Sequence, residues 1–225
     1  MPSLELVRSQ IEAACARVGR NASEVTLVGA SKTVPAIRLE EFYRAGLRDF
    51  GENYIQEGIE KVGCAREAGW SATWHFIGAL QSNKAREAVA HFDLIHSVDR
   101  ISLAKELDKE ARKIEKVQRV LIQVNIGGEE SKAGCAPENL SALLDAIGAL
   151  PNLRVEGLMS LPPLRENPQD SRPFHWQLRQ LRDSLASNLL PLASLSMGMS
   201  RDFEVAIEEG ATLVRVGSAI FGIRS

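Results

Sequence analysis

The stretch Val25–Thr33, VTLVGASKT, sets a short apolar run directly against a small-residue turn that carries a lysine. VTLVG is rich in β-branched and apolar residues and lacks a polar alternation, as a strand buried on both faces requires. The chain behind it changes period. Leu39–Ala45 (LEEFYRA) reads as a helix that stops at Gly46, a plausible C-cap. In front lies another helix, about Leu4 to Val18, with Leu4, Val7, Ile11, Ala14, Cys15 and Val18 at helical spacing.

The alternation repeats to the end of the sequence. Further strands are expected at Asp49–Gly51, Trp74–Ile77, Leu94–Ser97, Val120–Asn125, Arg154–Met159, Ser194–Met197 and Leu213–Val216. Helices are expected between them at Ile55–Glu67, Lys84–Phe92, Ile101–Ile114, Pro137–Leu150, Phe174–Ala186 and Asp202–Glu209. Alternating strands and helices imply a parallel sheet. Eight such units closed into a ring predict an α/β fold: a single (β/α)8 TIM-type barrel domain over 1–225 with an extra N-terminal helix. An open doubly wound sheet is the alternative, weakened because no GxGxxG follows the first strand. Leu161–Pro173 (LPPLRENPQDSRP) reads as an exposed loop rather than a domain boundary.

Composition excludes several function classes. The 225 residues hold 27 Lys plus Arg against 29 Asp plus Glu, so no basic footprint for nucleic acid or an anionic membrane is expected. No apolar run approaches the ~18 residues of a membrane span, and the N-terminus lacks the apolar core of a signal peptide. Cys15, Cys64 and Cys135 are far apart and form no CxxC pair. That argues against a disulfide framework or a zinc site and for a reducing, cytoplasmic setting. None of His75, His91, His96 and His175 makes an i,i+4 ligand pair, so no metal is expected. His91 and His96, at the fourth strand, and His175, after the proline-rich loop, read as surface or capping residues. His75 lies on a strand, where it is expected either to pack or to line the barrel.

Three features point to chemistry. The first strand delivers Lys32 to the C-terminal mouth of the barrel, where active sites of this fold sit. Low-dielectric surroundings there disfavour the ammonium form and favour the free amine that Schiff-base formation needs. The plainer reading is a lysine whose stem packs while its head reaches water. At the other end of the chain, Ser196–Ser200 (SMGMS) precedes a helix and Val214–Ser218 (VRVGS) closes the last strand. These are the loops after strands 7 and 8, where many barrels hold phosphate. Ser200 and Ser218 supply hydroxyls, and Gly217 permits close approach of an anion to the backbone; ordinary turn and cap chemistry is the alternative. Arg215 shares a strand face with Leu213 and Gly217. If Gly217 faces the mouth, Arg215 points inward just below it. Beside a pyridine nitrogen, its guanidinium would donate a hydrogen bond and keep that nitrogen unprotonated, weakening the ring as an electron sink.

These residues belong to longer motifs. VGASKT at 28–33, FGENYIQE at 50–57, WHFIGALQSNK at 74–84, SKAG at 131–134, GLMS at 157–160, LSMGMSRDFEVAI at 195–207 and VRVGSAIFG at 214–222 run along nearly the whole chain. Together they resemble the YggS/PROSC family, the pyridoxal 5'-phosphate (PLP)-binding proteins of cellular PLP homeostasis. The resemblance implies a fold-type III barrel like that of alanine racemase, and PLP held as an internal aldimine on Lys32. It implies phosphate contacts from Ser200, Gly217 and Ser218, the pyridine-nitrogen arginine at Arg215, and Asn53 near the cofactor. It places His75–Gly78 along the same pocket.

Two positions depart from the family pattern. Val34 stands where many relatives carry a second lysine, which puts any PLP hand-over through that amine in doubt. Ala79 replaces a residue that is often proline or histidine. The sequence also closes at Phe221–Ser225 without the aromatic tail common in relatives, and no C-terminal β-domain is expected after the eighth strand. The second acid or base of a racemase is therefore expected to be missing, with Tyr43 and Tyr54 the only tyrosines. The implied function is a monomeric PLP carrier that passes PLP to apo-enzymes without committed turnover. A weak PLP-dependent racemase is the alternative. A class I aldolase-type barrel using Lys32 is a third reading, disfavoured by Arg215.

Overall fold

The computed structural model describes residues 2–129, 132–188 and 190–222. Its strands are β1 (Thr26–Ala30), β2 (Asp49–Glu52), β3 (Thr73–Phe76), β4 (Leu94–Val98), β5 (Gln118–Val124), β6 (Leu153–Ser160), β7 (Ser194–Met199) and β8 (Leu213–Val216). They pair in parallel, each with the next, and β8 returns to β1 through Thr26 opposite Leu213 and Val28 opposite Arg215. The helices are α1 (Pro2–Arg17), α2 (Ala36–Arg44), α3 (Ile55–Glu67), α4 (Ala85–His91), α5 (Ile101–Lys113), α6 (Leu140–Gly148), α7 (Arg172–Leu185), α8 (Phe203–Glu208) and α9 (Ser218–Phe221). The predicted barrel is the observed architecture.

Side chains alternate between two cores because successive residues of a strand point to opposite faces. Phe50, Phe76, Ile95, Val120, Ile122, Leu195 and Val214 pack outward under the helices, with Leu39, Leu103, Leu107 and Leu178 among their buried partners. The barrel interior holds a smaller apolar cluster of Val28, Leu94, Leu121, Met159 and Leu213. Polar residues share that interior, and their placement organises the site described below.

The elements differ from expectation mainly at their ends. Helix α2 starts at Ala36, immediately behind Pro35, three residues before the predicted start at Leu39. Pro35 has the fixed φ that suits a helix entrance. Helix α8 starts at Phe203, with Asp202 as its N-cap residue. Helix α9 was not foreseen, because four residues carry no readable period. The leading helix α1 packs against α8 and α9, where Arg17 pairs with Glu204 at 2.9 Å and Glu208 at 2.7 Å.

Candidate functional site at the barrel mouth

Lys32 lies two residues beyond β1, in a turn that the Val34 N–H closes on the Ser31 carbonyl (2.9 Å). Thr33 takes φ 64° in that turn, a conformation that costs a β-branched residue energy. A buried polar cluster braces it from beneath. The Thr33 N–H donates to the Glu57 carboxylate. The Ser31 hydroxyl donates to Glu52 Oε1 at 2.5 Å. The Lys61 ammonium donates to the Ser31 carbonyl (2.7 Å), Glu52 Oε1 (2.8 Å) and Glu57 Oε1 (2.7 Å). Burial pushes the Glu52 carboxyl up, against the lowering effect of the bonds from Lys61 and Ser31. Lys61 is thereby committed to structure, while Lys32 lines the mouth.

The mouth is a cavity of about 550 Å³ lined by Lys32, Asn53, Ser200, Arg215, Gly217 and Ser218, together with Ile77, Met199 and Asp202. Its size falls in the ~300–1,000 Å³ range of small-molecule sites. All six residues singled out from the sequence therefore meet in one place, delivered by four separate strand ends.

Each is positioned by local chemistry. Asn53 follows β2, and its backbone presses against Gly78: a Cβ at residue 78 would stand 2.1 Å from the Asn53 carbonyl oxygen. The Ser200 hydroxyl oxygen accepts the backbone N–H groups of Gly217 (3.1 Å) and Ala219 (3.4 Å). Those two amides fix the Ser200 oxygen at the cavity wall and leave its hydrogen available to an anion such as phosphate. Asp202 accepts the Met199 N–H at 2.8 Å and bonds His175 Nε2 at 3.0 Å. Burial opposes its ionisation, but those hydrogen bonds and the charge of His175 outweigh it and hold the carboxyl below its ordinary range. Arg215 is buried on β8, donating to the Ser196 hydroxyl at 2.5 Å and the Ser160 carbonyl at 2.8 Å. Desolvation pushes its guanidinium down to about 10, so it stays charged at neutral pH.

The histidines differ from expectation. His75 does not line the mouth; Ile77 does. Ile77 follows the end of β3, whereas His75 lies two residues earlier within it, in register with Leu94, and opens toward the N-terminal end of the barrel. His96 and His175 are fully buried rather than at the surface. A two-residue alternation places His96 beside Leu94 inside the barrel. That signal was present in the sequence, as was the Ser194–Ser196 alternation that brings Ser196 inward. Tyr43 stacks on Trp70 with ring centroids 4.6 Å apart, and Tyr54 is exposed off the cavity. Ser131 of the SKAG motif and residues 223–225 lie outside the described residues.

The alanine racemase N-terminal domain model matches residues 4–225. A pyridoxal phosphate homeostasis protein of Aquifex aeolicus is 50% identical over 222 residues, covering 98% of this chain and 96% of that relative. The chain belongs to the family of pyridoxal phosphate homeostasis proteins. The solved structure of PipY from Synechococcus elongatus with PLP bound superposes with a TM-score of 0.81 at 38% identity, over 94% of this chain and 100% of that one. Alanine racemase of Clostridium difficile shares the fold at 14% identity, with a TM-score of 0.74 over 57% of its chain. Of the two departures from the family pattern, Val34 packs against the core and borders a second cavity beside Lys32, Gly217 and Ser218, whereas Ala79 is exposed.

Proposed function

We propose that this chain binds PLP in the mouth cavity as a Schiff base on Lys32 and serves PLP homeostasis in the cytoplasm, without committed turnover. The observation that carries this reading is the meeting of an amine, an anion cup and a buried guanidinium around one cavity. When bound, PLP would supply an aldehyde within reach of the Lys32 amine and an electron-accepting ring. The chain's own residues do the rest. Ser200, Gly217 and Ser218 would hold the phosphate, and Asn53 would border the ring. Arg215 would donate a hydrogen bond to the pyridine nitrogen. Its charge at neutral pH would keep that nitrogen unprotonated, which restrains carbanion chemistry.

Membership in the homeostasis family and the PLP-bound PipY structure support the cofactor. Restrained turnover is supported by the positions of Tyr54, exposed, and His75, below the cavity floor; neither reaches the site as a second acid or base. No described helix is long and apolar enough to cross a membrane. We further read the chain as one barrel domain that acts as a monomer and donates PLP to apo-enzymes.

Titrating the protein with PLP tests this. A visible absorbance band is expected in the wild type and not in Lys32→Ala, with no deuterium incorporated at Cα of added amino acids. A band that survives in Lys32→Ala overturns the assignment of the lysine, and rapid exchange overturns the carrier reading in favour of an enzyme.

A further inference from the structure

The barrel interior below the cavity holds a continuous polar chain. From Arg215, the Ser196 hydroxyl is 2.5 Å from Nη1. The same oxygen lies 2.8 Å from His96 Nδ1. His96 Nε2 is 2.9 Å from His75 Nδ1, and the two rings meet edge to face at 75°. His75 Nε2 is 3.0 Å from Asp49 Oδ1. These groups come from β8, β7, β4, β3 and β2, so the chain crosses the barrel from the mouth to its N-terminal opening. Ser196, His96 and Arg215 are buried, and the Asp49 side chain is a quarter exposed.

Donor and acceptor chemistry fixes the direction of this chain. A guanidinium only donates, and an ionised carboxylate only accepts. Ser196 accepts from Arg215 and has one hydrogen, which His96 Nδ1 receives. His96 must then carry its proton on Nε2 and donate to His75 Nδ1. His75 in turn carries its proton on Nε2 and donates to Asp49. Reversing any one bond sets two donors or two acceptors face to face, at a cost of about 1–3 kcal/mol for each buried group left unpaired. Burial, followed by the nearby charges of Arg215 and Arg119, holds His96 neutral by pushing its pKa well below the ordinary range.

We propose that Ser196, His96, His75 and Asp49 are positioning residues for Arg215: a one-directional relay of two imidazoles, each donating from Nε2, that offsets the buried guanidinium with a carboxylate at the opposite end of the barrel. The hydrogen bonds of Arg215 are to a hydroxyl and a carbonyl, so charge compensation reaches it along this chain and from Asp202, whose field favours its charged form. Each polarised bond strengthens the next in a low-dielectric interior. Around the lower end stand Glu24 and Arg119, the latter paired with Glu156 at 2.8 Å. This inference deepens the reading of Arg215 as the pyridine-nitrogen donor, but the relay itself belongs to the ligand-free chain.

The test is nitrogen NMR of the full chain labelled with ¹⁵N in its imidazoles, recorded without PLP at pH 8 and assigned with single His→Gln variants. His75 and His96 are both expected in the Nε2–H form, with Nδ1 unprotonated. In Asp49→Ala the His96 signals, two hydrogen bonds from the altered residue, are expected to move toward a tautomer mixture; in Ser196→Ala the same is expected from the other side. A wild-type His96 carrying its proton on Nδ1 overturns the proposal, as does an unchanged His96 in Asp49→Ala. Should Ser196→Ala not fold, the wild-type spectrum and Asp49→Ala still decide. Failure of PLP to bind would sink the cofactor reading and leave the tautomers, measured without it, to stand or fall separately.

Discussion

Lys61 and Gly78 matter to the site without being part of its chemistry. Lys61 neutralises Glu52 beneath the Lys32 turn, where both are buried. Removing one partner of a buried pair leaves an uncompensated charge, which costs about 3–5 kcal/mol. Lys61→Met is therefore expected to lower Tm by on the order of 10 °C in a calorimetric scan; an unchanged Tm would show that Glu52 is protonated in the fold. Gly78→Ala drives a methyl group into the Asn53 carbonyl. PLP affinity is expected to fall at least tenfold, read by absorbance titration. Asp202 gives the pH dependence. Its folded pKa lies below its ordinary value, so its stabilising effect is present above about pH 4 and is lost as pH falls through the folded value. The stability difference between wild type and His175→Phe should accordingly narrow as the pH drops below about 4, measured by urea unfolding; a difference independent of pH contradicts this. The residues that meet at the mouth were legible because motif and strand end coincide. Strand alternation marked His96 and Ser196 as inward-facing, but their hydrogen-bond partners, like that of His175, were not legible, because those lie far away in sequence.

Strands were the most legible elements, since most are short apolar runs, such as TLVGA in β1 and the VLIQV of β5, whose length a barrel constrains. The ends of helices were less so: α2 begins behind a proline whose role depends on the turn before it, and α9 is too short to show a period. The place of α1 was invisible as well, because its contacts with α8 and α9 join opposite ends of the chain. At this scale magnitudes separate core from surface. Leu107, fully buried on α5, is expected to lose about 2–5 kcal/mol as Leu107→Ala, through lost burial and the cavity left behind. Arg17, half exposed in its pairs with Glu204 and Glu208, is expected to lose less than about 1 kcal/mol as Arg17→Ala. Denaturant midpoints of the two variants check the order; the reverse order would mean that the Arg17 ion pairs contribute more than burial of a core leucine.

Across the whole molecule, closure of the barrel does the functional work. It carries Lys32, from the first βα turn, and the Ser200–Ser218 loops, from the last two, to neighbouring positions on one rim, although some 170 residues separate them in sequence. Parallel strands put all their C-terminal ends on that rim, so a strand count alone indicated where the site would form. Its floor was not indicated: the interior under the rim is a polar column reaching from Arg215 to Asp49, where packed aliphatic layers are the usual filling. If the Lys32 amine captures the PLP aldehyde, borohydride reduction of the PLP-loaded protein, followed by proteolysis and mass spectrometry, leaves one reduced phosphopyridoxyl adduct, on the peptide containing Lys32. An adduct on Lys61 or any other lysine in place of Lys32 would rule out that assignment.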